Sequence, residues 1–170
     1  LYEECRSYNF DRAIEYVEQM ADEARLLNDS DKIAHAAIQK VFAYPSAGLF
    51  KEGYDLFEEL DTAGMKHDTK VDYYITYARL QYDLANYDHV DMSNTYNRNG
   101  DELMRRALAL LTPADTALYW RSLAMLDQHE GLADRSIKRY QLALQDSRID
   151  EHERAIYLST IAYLYSTVAD

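Results

Sequence analysis

The chain has 170 residues, with 18 Lys and Arg against 30 Asp and Glu, a formal net charge of −12 at pH 7 and a pI near 4.8. That balance argues against binding nucleic acid or an anionic membrane surface, because both need a clustered basic face. Hydrophobic residues make up 48% and only two Pro and five Gly interrupt them, so the length suits one helical domain with a sizeable core, while no apolar run approaches the ~20 residues that insert across a bilayer.

Residues 1–8 read as the end of a helix, and the chain opens without Met, so a fragment of a longer protein is expected. The lone Cys5 has no internal disulfide partner and suits either redox compartment. From 10 to about 28, Ala13, Ile14, Val17, Met20 and Ala24 fall on one helical stripe. Residues 28–31, Asn-Asp-Ser-Asp, supply N-cap oxygens for a helix over 33–44, which Pro45 ends; Gly48 marks a hairpin and 49–60 returns. Ala63 and Gly64 close that helix, and a Tyr-rich helix follows over 68–86.

Residues 87–99, rich in Asn and Asp, are expected to form an irregular polar loop, with a helix resuming at 101–111. Thr112-Pro113-Ala114-Asp115 is a helix-start signal: Thr as N-cap, Pro in the first position, Asp reaching back. Residues 115–143 read as two short amphipathic helices hinged near Gly131, with small Ala124 and Ser136 letting the backbones approach while Trp120 and Tyr140 fill the space. Asp150 and Glu153 open a last helix, on which Ile156, Tyr157, Ile161, Leu164 and Tyr165 look like core and which ends without a hairpin partner.

A small residue followed by bulky apolar residues recurs along the chain: Ala13, Val17, Met20; Gly53, Phe57, Leu60; Gly100, Met104, Ala107; and Ser136, Tyr140, Ala143. The first members lie 40, 47 and 36 residues apart, a period that marks a helical solenoid with two helices per unit. Trp120-x2-Leu123-Ala124 with Gly131, Ser136, Tyr140 and Ala143 resembles the tetratricopeptide repeat, with Ala for the usual Gly after Leu and Asp127 where an aromatic is usual. The run from Phe10 to Met20 resembles the second helix of that repeat, and Gly48 to Gly53 its turn and second-helix start. The resemblance implies one all-α domain over 1–170: a right-handed superhelix of antiparallel helix hairpins, a TPR-like α-solenoid of about four degenerate repeats. The Tyr-rich array, with its Gly48-x-Phe50-Lys51-Glu52 motif, also resembles the sensor region of bacterial membrane-anchored regulators. That would place it in the periplasm; otherwise it is cytoplasmic.

Catalytic signatures are missing. His129-Glu130 and His152-Glu153 lack a second His four residues on, and the chain has no Gly-rich phosphate loop and no nucleophile elbow. No catalytic residue, cofactor or resident metal is therefore expected. Asp88, His89 and Asp91 fall close together, but a solvated polar loop explains them more simply than a metal site.

In this repeat family the first helix of each hairpin lines the concave face. At matching positions that face would offer His35, Ile38 and Phe42; Ile75, Arg79, Tyr82 and Asp83; and Leu118, Arg121, Met125, Gln128 and His129. Arg, Met and aromatic side chains suit a groove for a protein or peptide, or for a second copy of the chain. Against this, Phe42, Ile75 and Leu118 also fit plain core, Tyr82 a contact between repeats, and Arg79 and Arg121 local ion pairs. The other reading is a small-molecule or metal receptor, or an enzyme, with a pocket near Tyr73 and His89.

Overall fold

A computed structural model describes residues 9–87 and 92–168. Cys5, Asp88, His89 and Asp91 lie outside the described residues. The described residues form helices and turns, with no strand. The α-helices are α1 (Phe10–Leu26), α2 (Ser30–Ala43), α3 (Phe50–Glu59), α4 (His67–Tyr87), α5 (Ser93–Leu110), α6 (Ala117–His129), α7 (Ala133–Ala143) and α8 (Glu151–Val168). The chain divides into two compact units, Leu1–Leu103 and Met104–Asp170.

Local chemistry sets most of the boundaries. Asn9 and Asp29 each accept a backbone N–H three residues on, at 3.1 Å, and so cap α1 and α2. Pro45 turns the end of α2 into a 3-10 segment, Tyr44–Ala47, which stops at Gly48 with φ of 74°. That left-handed backbone is cheap only for glycine.

Each described hairpin brings a small residue of its second helix against the first. In the first unit Gly53 of α3 packs on α2, where an added Cβ would stand 3.2 Å from Val41 Cγ1. Gly100 of α5 faces the Tyr82 ring of α4 so closely that a Cβ would lie 2.5 Å from a ring carbon. In the second unit Ser136 of α7 and Ala124 of α6 are both fully buried, and the Ser136 hydroxyl donates to the Ala124 carbonyl at 2.8 Å. Ala13 of α1 is likewise fully buried. The all-helical, antiparallel-hairpin architecture expected for a tetratricopeptide-type solenoid is thus present.

The first unit's core centres on Phe57, which stacks on Tyr77 with centroids 4.7 Å apart and meets Tyr73 edge-on at 5.1 Å, beside Ile38, Val41 and Leu80. In the second unit Ile137, Tyr140, Tyr157, Ile161 and Leu164 join α7 to α8. Burial pushes the Tyr140 hydroxyl up to about 12. Trp120 is half-buried, packed against this core and edge-on to Tyr119 at 5.0 Å.

Three local expectations differ from what the chain does. Helix α5 begins at Ser93, not at 101; Thr95 and Tyr96 donate their N–H groups to the Met92 carbonyl at 2.9 Å. Asn is a weak helix former, but Thr95, Tyr96 and Asn97 are half-buried and Gly100 is locked against Tyr82, so packing overrides propensity. The Thr112–Asp115 capping box forms, but it caps only a 3-10 turn, Pro113–Asp115, because Thr116 takes a φ of 52°. Helix α6 starts at Ala117, whose N–H donates to Asp146 at 3.1 Å; the Thr116 hydroxyl also donates to Asp146. Arg148 holds Asp146 from beside it at 3.0 Å, and these donors, Arg148 first, hold the Asp146 carboxyl well below the usual range. On α8, Tyr157, Ile161 and Leu164 are core, whereas Ile156 and Tyr165 are 46% and 54% exposed. That helix is apolar around most of its circumference, and the core takes only one stripe of it.

Candidate binding surface

In the first unit, α2 and α4 bring three of the expected residues to one place. His35 and Phe42 lie seven residues apart on α2 and share a face. The Arg79 guanidinium of α4 sits over the Phe42 ring, 4.3 Å from its centroid. Arg79 Nε lies 3.7 Å from an Asp83 carboxylate oxygen one turn on, and both side chains keep roughly a third of their surface or more in solvent. Burial pushes the Asp83 carboxyl up, and Arg79 pulls it back. Beyond this pair an open recess is lined by Pro45, Phe50, Arg79, Asp83, Asn86 and Tyr87. Its aromatic wall is the Phe50–Tyr87 pair, with centroids 5.1 Å apart. His35 is half-buried and sits 3.3 Å from the Gln39 amide nitrogen.

Tyr82 is turned away from this surface. It is 3% exposed, its ring covers Gly100, and its hydroxyl donates to Asp101 at 3.0 Å. It joins α4 to α5, as the repeat-contact alternative had it. Tyr73 is also core: it is 8% exposed and donates to the Phe57 carbonyl at 3.4 Å. The recess therefore lies further along α4 than Tyr73.

In the second unit, Arg121 and Met125 share a face of α6 one turn apart. Arg121 reaches Glu153 of α8 at 3.4 Å and keeps 28% of its side chain exposed. Its charge also pulls down the Tyr140 and Tyr157 hydroxyls, which burial raises more strongly. Met125 is half-buried against the core. His129 is exposed in the last turn of α6, where a cation suits the helix C-terminus.

One cluster escaped the sequence reading. Asp127, 1% exposed on α6, is flanked by Arg135 at 3.2 Å and Arg139 at 2.5 Å, both from α7. The available signal was an acid at an apolar repeat position, with two Arg on the returning helix four residues apart. This is an internal tie between two helices, and nothing about it presents a reacting atom to solvent. Among the described residues no group of three His, Cys, Asp or Glu could hold a metal ion, and no helix is long and apolar enough to cross a membrane.

No curated protein and no solved structure matches the chain. A family model described as the SusR N-terminal TPR domain matches residues 1–170, and the chain belongs to that family of tetratricopeptide-repeat domains.

Proposed function

We propose that the chain is a non-enzymatic scaffold that binds a protein or peptide through the solvent-facing side of its hairpins' first helices, as the interaction region of a bacterial regulatory protein. A tetratricopeptide domain is an interaction module, which supports the scaffold half of this reading. The surface on α2 and α4 carries the rest: an Arg stacked on Phe, beside an open recess walled by Phe50 and Tyr87. A guanidinium pre-set over an aromatic ring, with an Asp83 carboxylate oxygen at 3.7 Å, suits an incoming carboxylate or backbone carbonyl. Phe42 and His35 extend the same surface, while Arg121, Met125 and His129 offer a comparable one on α6. Tyr82 supports it from within.

The test uses the partner recovered by affinity capture with the chain. Arg79→Glu should weaken binding of that partner about 30-fold, the size of a hot-spot loss, with helicity and melting temperature kept. Arg121→Glu reports separately on the α6 surface. A partner bound equally well by both variants removes the reading.

A further inference from the structure

The first unit carries another surface, which is independent of the one above. On α2, Ile33, Ala37 and Lys40 line a groove, with Tyr44 just past the helix end, and at 100° per residue the three point about half a turn away from His35 and Phe42. Helices α1 and α3 form the groove's walls. The floor is apolar and low: Ala21 of α1, Ala36 and Ala37 of α2, Leu56 of α3 and Leu60 just after it. Three small side chains, Ala21, Ala36 and Ala37, leave room for something bulky to sit on it. The rim is acidic, with five carboxylates against two cations. Both cations are already neutralised, Arg25 by Asp22 at 2.6 Å and Lys40 by Glu18 at 3.1 Å. What remains is a negative edge along α3, where Glu52 and Glu59 stand seven residues apart on one helix face; Asp55 between them is already paired with Lys51 one turn before it.

We propose that this groove is a docking site for a cationic amphipathic helix of a partner protein. Such a helix lays an apolar i, i+4, i+7 stripe on the alanine and leucine floor and sets Lys or Arg against the α3 carboxylates. The ten residues of α3 run about 15 Å, so about three turns of the incoming helix are engaged. The charge selects the occupant: a second copy of this chain carries −12 itself and is repelled. The rim fixes orientation and on-rate, and the floor supplies most of the hold.

The 170-residue chain, labelled for amide NMR, should be titrated with an 18-residue helical peptide of Leu and Lys in amphipathic order. Its Leu/Glu counterpart and an oligolysine of equal charge serve as controls. The Leu/Lys peptide is expected to shift the amides of Ala21, Ala37 and Leu56, and to bind at least tenfold tighter than either control. Reversing the exposed rim with Glu52→Lys, Asp55→Lys and Glu59→Lys is expected to cost at least tenfold in affinity without loss of helicity. Shifts gathered at Phe42 and Arg79 instead, oligolysine binding as tightly as the amphipathic peptide, or a folded rim variant that binds as well as the parent would each overturn the proposal. The map on the unaltered chain stands even if the rim variant misfolds.

Discussion

Phe57→Ala should destabilise the first unit by about 3–5 kcal/mol, read as a lower midpoint in urea. The side chain is fully buried where three helices converge, with Tyr77 stacked on one face and Tyr73 meeting its edge. Removing the ring loses its transfer energy and two aromatic contacts. It also opens a cavity that cannot collapse, because each neighbour is tied elsewhere: the Tyr77 hydroxyl donates to Glu58, and Ile38, Val41 and Leu80 close the far side. Phe57→Leu keeps most of the volume and should cost less than half as much. A loss below about 1 kcal/mol for the alanine variant would mean that the three helices do not meet at this ring.

Arg139→Met should cost the second unit about 3 kcal/mol, the usual penalty for stripping a partner from a buried charge. Arg139 approaches Asp127 Oδ2 to 2.5 Å, a charge contact rather than an aligned hydrogen bond, and also donates to the Leu123 carbonyl at 3.2 Å. Burial pushes the Asp127 carboxyl up more strongly than Arg139 and Arg135 pull it down. An acid whose folded pKa is raised costs stability when ionised, above its unfolded value of about 3.9, and that cost is relieved as pH falls. The variant, with one guanidinium gone, should therefore lose most at neutral pH and approach the parent under mild acid. Adding Asp127→Leu to Arg139→Met should recover most of the loss, since an apolar pair of similar volume needs no desolvated charge. A double variant no more stable than the single one would show that the arginine acts through the Leu123 carbonyl instead.

The repeat was legible because its signal is steric and local. Only a small side chain lets two backbones cross closely, so Gly53, Gly100 and Ser136 stand out at the right period and each meets the first helix of its hairpin. Pro45 and Gly48 were equally readable, since each restricts the backbone whatever surrounds it. What escaped depends on distant partners. The start of α5 is decided by packing around Gly100 and Tyr82, against the preferences of its Asn residues. The N-cap of α6 comes from Asp146, about thirty residues away in sequence, and not from Thr112 nearby. Asp127 looked like a departure from the repeat, whereas its two Arg partners sit on the facing helix.

The surface was legible in part for the same reason. The resemblance to the repeat family put Phe42 and Arg79 on the first helices of their hairpins, but which side of α4 is exposed is set by α5, and that turned Tyr82 inward. The recess beside Arg79 joins Pro45 and Phe50 to Asn86 and Tyr87 across two hairpins, a proximity that no periodicity within one helix encodes.

The claim beneath all of this is that small residues mark where paired helices cross, and a double-mutant cycle between Gly100 and Tyr82 tests it most directly. Gly100→Ala alone should cost about 1–3 kcal/mol, since the new methyl meets a buried ring. In a Tyr82→Ala background the same change should be neutral or should stabilise by up to about 1 kcal/mol, because alanine is the better helix former once the ring is gone. The expected coupling is thus at least about 1 kcal/mol, and two costs that simply add to within about 0.5 kcal/mol would contradict the crossing.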